Sequence, residues 1–536
     1  MNGFLALTER RKSWLALALL WALLLGLAAL RPLAVPDEGR YGEIGRWMLQ
    51  SGDWLTPRVN GIPFFHKPPY IYWLEAMALA TWGVNAWALR WVPALHAGLM
   101  LVALYLAARG SVGETTARRA AIMLGSSLSF LLGGQYVNHD MAVAAWIGVA
   151  IWCFALAFVR LPAQRSSSAG PGPAVLWLAR LGFVACGLGF LSKGLIGIAL
   201  PGLVLLIWLL WTGQVRKIVQ LPWLTGLTLL AVVSLPWLVL AHQQFPDMLS
   251  YMFGKHQVGR YTATTFNNAR AWWFYLPVLL VLLFPWVFFA LVQAAGQVQR
   301  TYSATNSVAK SLVLLCWIWL LAILVFFSVP NSKLMGYVLP VMPALALLAA
   351  LGFERWPGDK AFAPRVWRGL LGLALVLAVV ANVAAGRFTA ISGTADIARV
   401  LACEAGAEDR IYILDRYPYD LPFLRQARQP MIAVQDWPTL RRSAGDGWQR
   451  ELFEGAEFDR LAGAVLQTPD VLPSAARTPG NWLVMPRDGE LNAALQGPWR
   501  LHHEGVGWRL LRSAGGPGSA PKGPEAAQHK GLPGCK

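Results

Sequence analysis

Residues 311–328 read SLVLLCWIWLLAILVFFS, a run of eighteen residues without a charged side chain. About 20 apolar residues in a helix span the hydrocarbon core of a bilayer, so this run predicts a membrane-crossing helix. Similar runs recur along the chain, at 13–31, 86–108, 120–138, 141–159, 176–192, 194–212, 221–241, 271–295, 337–353 and 369–386. The sequence therefore predicts an all-α polytopic membrane domain with about 11–13 transmembrane helices.

The composition agrees with this fold class. Of the 536 residues, 56% are hydrophobic and 14% are charged, against about 25% charged in soluble proteins. A single soluble globule is therefore excluded. The net charge of +18 is carried by loops between apolar runs, which indicates membrane topology and anionic lipid rather than nucleic acid.

The loop charges also predict an orientation. Arg10, Arg11 and Lys12 precede the first run, which favours an uncleaved anchor with its N-terminus in the cytoplasm. Loops assigned to the cytoplasm carry Arg118, Arg119, Arg216, Lys217, Arg365 and Arg368. An odd number of spans then places everything after residue 387 outside.

Three regions follow from these patterns. Residues 1–387 form the transmembrane domain. Residues 388–512 lack long apolar runs and show strand-like pieces at 410–414, 431–434, 482–485 and 508–511, which is typical of a small α/β domain. Residues 513–536 are rich in Gly, Pro and Ala and are expected to be a disordered tail.

The first external loop, residues 32–85, is unusually long. Within it, Ile44, Trp47 and Met48 stand at helical spacing beside charged residues, which predicts an amphipathic helix over 40–50 in the membrane interface. Residues 70–82 are expected to form a second such helix. Two interfacial helices suit a site that admits lipid from the side.

Three carboxylates stand near the outer membrane boundary. Asp37 and Glu38 directly follow the first apolar run, and Asp140 lies in Asn138-His139-Asp140 between two runs. Placing a carboxylate at membrane depth costs free energy, so such residues tend to be functional. A pair on one face is suited to general-base catalysis. The alternatives are solvated loop charges or a helix cap for Asp37 and Glu38, and a turn residue for Asp140.

Cations also fall in or beside the external loops, where the topology rule disfavours them. They are Lys67, Lys193, Lys255, Arg260, Arg270 and Lys333. Isolated lysines at helix ends often extend to the interface, which is the alternative for each of them. As a group they predict a site for phosphate.

Histidines are few in these loops. His66 and His256 are candidate ligands of a divalent metal, because imidazole is the commonest nitrogen ligand. Their spacing specifies no metal, and a site without any metal or other cofactor is the alternative.

These residues carry a resemblance that covers the whole chain. Asp37-Glu38 after the first run, His66-Lys67-Pro68-Pro69, Asp140, and Lys333 with Tyr337-Val338-Leu339-Pro340 resemble the protein O-mannosyltransferase-like membrane glycosyltransferases of the GT-C class. More narrowly, the chain resembles the bacterial transferases that move 4-amino-4-deoxy-L-arabinose from undecaprenyl phosphate to lipid A. Those transferases contribute to polymyxin resistance.

The resemblance implies roles for individual positions. It makes Asp37 the catalytic carboxylate, with Asp140 as a second acidic residue and Glu38 beside it, and it makes Lys67 a ligand of the donor phosphate. Cavity positions are implied for Arg40, Tyr41, Lys193, Arg260, Lys333 and Tyr337. One departure is His66, which stands where the arabinosyl transferases usually have an acidic residue, so a metal there must be held differently or be absent.

The implied reaction transfers a sugar from a polyprenyl phosphate to lipid A or another envelope acceptor, with no nucleotide and no obligate protein partner. Lys67 and Arg260 would stabilise the departing phosphate, and Asp37 would orient or deprotonate the acceptor. Two alternatives stay open at this point. One is a related GT-C enzyme acting on protein Ser/Thr or another glycan, and the other is a lipid flippase or transporter, although the chain shows no internal repeat.

Overall fold

The computed structural model describes residues 2–161, 171–259, 268–299, 307–356, 361–491 and 497–514. The chain divides into two compact units. The first, called the bundle unit below, comprises Met1–Leu30, His66–Ile71 and Arg90–Val383. The second, the sheet unit, comprises Arg31–Phe65, Tyr72–Leu89 and the described part of Ala384–Lys536.

Helices dominate the chain. In order they are α1 (Asn2–Ala28), α2 (Asp37–Ser51), α3 (Tyr70–Trp82), α4 (Ala86–Val112), α5 (Glu114–Gly125), α6 (Leu128–Leu131), α7 (Asp140–Arg160), α8 (Pro173–Lys193), α9 (Ile196–Trp211), α10 (Trp223–Gln244), α11 (Tyr275–Leu282), α12 (Val287–Gln299), α13 (Ser307–Ser328), α14 (Met342–Arg355), α15 (Ala363–Ser392), α16 (Ala395–Glu404), α17 (Leu421–Arg425), α18 (Trp437–Ser443), α19 (Trp448–Phe458) and α20 (Leu472–Arg477). A π-helix covers Ser250–Gly259, and 3-10 turns cover Gly133–Gln135, Val215–Gln220, Trp272–Phe274, Met335–Val341, Ala462–Val465 and Pro469–Val471.

Eight helical segments in the described residues are long and apolar enough to cross a membrane, or nine if one bent pair counts as a span. They are Thr8–Ala28, Ala86–Val112, Asp140–Arg160, Pro173–Lys193, Trp223–Gln244, Val308–Ser328, Met335–Arg355 and Ala363–Ser392, and the bent pair is Trp272–Leu282 with Val287–Ala295. The predicted polytopic helical fold is confirmed.

Two further predicted spans take other forms. The run at 194–212 is the shorter apolar helix α9. The run at 120–138 breaks into α5, α6 and a 3-10 turn, because Ser126 and Ser127 interrupt it. The Ser127 hydroxyl accepts a hydrogen bond from the Phe130 backbone at 3.4 Å and so caps a new helix there. Serine at such a position competes with continuous helix.

Close helix packing in the bundle unit depends on small residues. Gly189 of α8 lies against Gly197 of α9, and a Cβ atom at Gly197 would collide with the backbone of Gly189 and Phe190. Glycine at the crossing lets the two backbones approach without a side chain between them. This contact holds the end of α8, which bears Lys193, against the start of α9.

The sheet unit contains a six-stranded sheet with strand order β5-β4-β3-β6-β8-β7. Its strands are β3 (Ile411–Leu414), β4 (Ile432–Val434), β5 (Leu466–Gln467), β6 (Trp482–Pro486), β7 (Trp499–Glu504) and β8 (Trp508–Ser513). Strands β3 to β6 pair in parallel, whereas β8 is antiparallel to β6 and β7. The predicted α/β domain is present, and its last strand includes Ser513, the first residue of the predicted tail. The rest of that prediction, 515–536, lies outside the described residues.

The first loop is grouped differently from the predicted division at residue 387. Helices α2 and α3 form as expected, and the short hairpin β1 (Arg58–Val59) and β2 (Ile62–Pro63) lies between them. Ile44 and Met48 of α2 are buried in one hydrophobic core with Ile413 and Trp482 of the sheet. Most of the loop therefore belongs to the sheet unit, because its apolar faces are covered there.

Candidate active site

An ion pair joins the start of one span to the end of another in the bundle unit. The Lys193 ammonium, at the end of α8, pairs with the carboxylate of Asp140, the first residue of α7. Both side chains are nearly buried, at 12% and 11% exposed. The Asn138 amide donates to Asp140 Oδ2 at 3.0 Å, and its oxygen accepts from the Asp140 backbone at 2.9 Å. Asp140 is therefore held in one orientation, at the positive end of a helix dipole.

Tyr337 forms an aromatic wall beside this ion pair. The Lys193 Nζ atom lies 4.4 Å from the centroid of the Tyr337 ring, within the range of a cation–π contact. The preceding residue, Gly336, lies directly against the Asp140 carboxylate, where an added Cβ atom would collide with it. The turn at 335–341 can approach the ion pair only because residue 336 has no side chain.

Lys193 and Tyr337 line a cavity of 270 Å³ together with Lys67 and His256. The remaining lining residues are Leu195, Ile196, Ala199, Gln257, Val258, Phe326, Phe327, Pro330 and Ser332. Two ammonium groups thus share one cavity with aliphatic and aromatic walls. Such a cavity suits a ligand that has an anionic head and a long apolar part.

Two histidines lie beside Lys67. The His66 and His256 rings lie 3.9 Å apart between centroids, and His66 Nε2 is 2.8 Å from the Tyr251 hydroxyl. Two imidazoles supply only half of a four-coordinate zinc set. The part of the chain that the structure describes holds no group of three His, Cys, Asp or Glu that could bind a metal. These residues alone do not complete a metal centre, so no step is assigned to a metal and the metal site stays a prediction.

Lys333 does not line the cavity. Its side chain is 3% exposed, and its ammonium donates to the carbonyls of Arg270, at 3.0 Å, and Pro330. Burial lowers the pKa of this lysine. The lysine therefore ties two chain segments together instead of facing a phosphate, which differs from the predicted role. Arg260, the other cation predicted here, lies outside the described residues.

Asp37 and Arg40 belong to the sheet unit. Arg40 Nη2 donates to Asp37 Oδ1 at 2.6 Å, and Nη1 donates to Glu451 Oε1 at 2.5 Å. The Arg40 guanidinium also lies 4.7 Å from the centroid of the Tyr41 ring. With two carboxylate partners, Arg40 has little net charge to offer a phosphate. Its geometry instead orients Asp37, whose side chain is 34% exposed.

Glu38 is fully buried and forms an ion pair with the buried Arg31. Arg31 donates two hydrogen bonds to its carboxylate, at 2.7 and 2.9 Å, and the Ala34 backbone donates a third at 2.7 Å. A carboxylate held in this way fixes the chain that leads into α2. The predicted catalytic role of Glu38 therefore does not match its surroundings, which favour a structural one.

Several residues of these arrangements were not evident from sequence. Asn138 stands two positions before Asp140, a spacing typical of a side chain that bonds the backbone of a turn. For Gly336, the only hint in the sequence was its position inside the Lys333–Pro340 motif. Glu451 had none, because it lies 411 positions from Arg40.

Comparison with known proteins finds sequence relatives that are named as membrane-lipid-dependent sugar transferases. Residues 11–252 match the family model described as dolichyl-phosphate-mannose-protein mannosyltransferase. The chain is 35% identical over 346 residues to undecaprenyl phosphate-alpha-4-amino-4-deoxy-L-arabinose arabinosyl transferase 2 of Pseudomonas fluorescens Pf0-1, covering 63% of this chain and 59% of that protein. It is 32% identical over 386 residues to the corresponding transferase of Pseudomonas aeruginosa UCBPP-PA14, covering 70% and 66%. The matched region thus spans less than two thirds of these relatives.

Solved structures extend the likeness over nearly the whole chain. The crystal structure of ArnT from Cupriavidus metallidurans bound to undecaprenyl phosphate superposes with a TM-score of 0.76 at 24% identity, covering 94% of this chain and 98% of that one. An Archaeoglobus fulgidus oligosaccharyltransferase in the apo form gives a TM-score of 0.58 at 15% identity, covering 88% and 69%. At these identities the likeness shows the fold.

The helical bundle with its sheet unit therefore defines a multi-pass membrane protein of the GT-C fold. The resemblance predicted from the sequence is confirmed. In sequence, the chain is similar to dolichyl-phosphate-mannose-protein mannosyltransferases over residues 11–252 and to proteins named as aminoarabinose transferases.

Proposed function

We propose that the chain is an integral-membrane glycosyltransferase that moves 4-amino-4-deoxy-L-arabinose from undecaprenyl phosphate to a phosphate of lipid A. The names of the two Pseudomonas relatives supply the donor and the sugar. Lipid A as acceptor comes from the sequence resemblance. The reaction takes place on the periplasmic side of a Gram-negative inner membrane, with the N-terminus in the cytoplasm and the sheet unit in the periplasm.

The observation that carries the proposal is the cavity of the bundle unit, in which Lys67 and Lys193 share one space with Tyr337, Phe326 and Phe327. A nucleotide sugar would need polar walls for its base and ribose. A prenyl-borne phosphate instead needs cations at its head and apolar walls along its chain. The cavity of this chain supports the second kind of donor.

The chemistry assigns a role to each group. An acceptor oxygen attacks C1 of the sugar, the bond between C1 and the phosphate oxygen breaks, and the electron pair leaves on undecaprenyl phosphate. Negative charge therefore grows on the phosphate, and preorganised ammonium groups stabilise it. Lys67 and Lys193 supply these groups, and Asp140 acts on the reaction by positioning Lys193.

Asp37 orients the acceptor in this proposal, a role that follows from the family resemblance. Arg40 holds its carboxylate at 2.6 Å. A lipid A phosphate is already ionised near neutral pH, so Asp37 would serve it mainly by orientation. A hydroxyl acceptor would need Asp37 as a base.

A second candidate is transfer to protein Ser/Thr or to another envelope glycan. The description of the matching family model as a protein mannosyltransferase, over residues 11–252, favours it. Both candidates use a polyprenyl phosphate donor and differ in the acceptor.

Mass spectrometry of lipid A tests the first candidate. The chain is expressed in a Gram-negative strain that lacks its own aminoarabinose transferase but makes the donor. We expect lipid A phosphates to gain one aminoarabinose with the intact chain and none with the Lys193→Met variant. Unmodified lipid A, with the chain present in the membrane and the donor accumulating, would contradict the proposal. Glycosylated protein in the same cells would support the second candidate.

A further inference from the structure

A second cavity lies at the other end of the bundle unit. It has a volume of 440 Å³, and its polar lining consists of Thr115, Arg118, Arg119 and Arg368. Phe353 also lines it, sixteen residues beyond Tyr337 along the span Met335–Arg355. That separation along a helical segment corresponds to about 25 Å. The second cavity is therefore remote from the candidate active site.

Three guanidinium groups line the cavity, and carboxylates neutralise their charge only in part. Arg118 pairs with Glu9 at 2.7 Å, and Arg119 makes one contact with Glu354 at 3.3 Å. Arg368 has no carboxylate within ion-pair distance among the described residues, and its Nε donates to the Pro364 carbonyl at 3.2 Å. Each guanidinium carries five donors. Among the described residues, most of these donors therefore remain for a ligand, and the three guanidinium groups have one positive charge more than their carboxylate partners neutralise.

Aromatic side chains complete the lining. The Arg119 guanidinium lies 5.3 Å from the ring centroid of Phe353 and 5.9 Å from that of Trp367. Ile122 and Pro364 add aliphatic surface. Tryptophan and arginine at the ends of spans are characteristic of the headgroup level of a membrane. A free anion would make no favourable contact with these apolar walls, whereas the apolar part of a lipid would pack against them.

We propose that this cavity binds the headgroup of an anionic phospholipid, with its phosphate on Arg119 and Arg368 and its glycerol and first acyl carbons along Trp367 and Ile122. Arginine binds phosphate oxygens in bidentate fashion. Basic pockets between spans on the cytoplasmic side are suited to such lipids. The loop charges predict that these residues face the cytoplasm. The site depends on the multi-pass topology, not on the transferase activity.

Native mass spectrometry of the purified full-length chain in neutral detergent tests the proposal, with phosphatidylglycerol or phosphatidylcholine added. We expect the wild type to retain phosphatidylglycerol but not phosphatidylcholine. The Arg368→Gln variant should retain at least about tenfold less, the effect of one lost charge-assisted hydrogen bond. Because Arg368 is exposed, this variant should keep the fold, and Arg119→Gln serves as a second variant.

Arg365→Gln is the matched control. Arg365 is exposed on the same helix with its guanidinium 5.5 Å from the Phe362 ring, and it does not line the cavity. We expect this variant to retain phosphatidylglycerol like the wild type. Equal retention by wild type and Arg368→Gln, or an equal loss in Arg365→Gln, would overturn the proposal. Displacement of the lipid by inorganic phosphate at millimolar concentration would also overturn it, since the site would then be one for a free anion.

Discussion

The ammonium group of Lys193 pairs with the carboxylate of Asp140, although the two residues lie 53 positions apart and on different spans. The pair is almost buried and lies beside the cavity proposed for the donor phosphate. A buried cation without its counter-ion would be costly. Asp140 therefore holds Lys193 in place, so that its amino group lies at the cavity before any ligand arrives.

Replacement of Lys193 tests this cation directly. We expect Lys193→Met to lower kcat for sugar transfer by about 10²-fold or more, because a preorganised group that stabilises the leaving phosphate is lost. Lys255→Met is the control, since Lys255 is exposed and does not line the cavity. A transfer assay in vesicles that contain donor and lipid A measures both variants. Equal rates for the two variants would show that Lys193 does not take part in sugar transfer.

Gly336 offers a geometric test of the same ion pair. A methyl group at this position would occupy the space of the Asp140 carboxylate, so Gly336→Ala should displace Asp140 and misplace Lys193. We expect transfer to fall by about 10²-fold while the protein stays folded in detergent. Gly369→Ala is the control, because a Cβ atom there meets nothing within 4 Å. Wild-type activity in Gly336→Ala would show that the ion pair tolerates this displacement.

Asp37 and Glu38 are neighbours with different expected phenotypes. Asp37→Asn should abolish transfer and leave the midpoint of thermal unfolding unchanged, since Asp37 is partly exposed. Glu38→Gln should instead remove the carboxylate that pairs with the buried Arg31 and destabilise the fold by about 3–5 kcal/mol. Activity and unfolding are measured on both purified variants. The assignment fails if Glu38→Gln is stable but inactive, or if Asp37→Asn is active.

The sheet unit should respond to pH through Asp420. Burial raises the pKa of this carboxyl group to about 6, from an ordinary value of 3.8, although the Thr394 backbone donates to it at 2.7 Å. The folded state therefore holds the proton more tightly than the unfolded state. The contribution of Asp420 to stability is therefore greatest below about pH 4 and falls as pH rises to about 6, by up to about 3 kcal/mol.

Thermal unfolding in detergent between pH 4 and 8 measures this effect. We expect Asp420→Asn to lose the part of the pH dependence that falls between pH 4 and 6, because an amide does not titrate. Asp488→Asn, at an exposed position, should keep the wild-type profile. The same profile in all three proteins would exclude Asp420 as its source.

Local patterns predicted most of the fold. The apolar runs became helices because hydrophobic length is a property of the segment itself, and strands such as Ile411–Leu414 followed from the same kind of signal. The prediction of an unbroken span at 120–138 was wrong, because one helix ends at Gly125 and the Ser127 hydroxyl caps the start of a new one. A count of apolar residues does not show where a serine side chain caps a new helix instead of continuing the old one.

The candidate site was predicted in part. Lys67, Lys193 and Tyr337 line one cavity, and their role in binding the donor stays a prediction. Lys333 and Glu38 were predicted from charge, position and the resemblance, and both are buried against partners that tertiary packing provides. The sequence shows which residues carry charge, but not which charges neutralise one another. Pairing of this kind depends on contacts between distant segments, such as that of Arg40 with Glu451.

The sheet unit is assembled from the two ends of the chain. The Asn60 side chain exchanges two hydrogen bonds of 2.7 Å with the backbone of Met431, across 371 positions. During synthesis, the segment 31–65 emerges long before the strands that cover Ile44 and Met48 exist. That apolar face therefore stays uncovered by the sheet until the strands from Ile411 onward have been synthesised. A chain cut at residue 387 would keep every predicted span and still leave its first loop without a core.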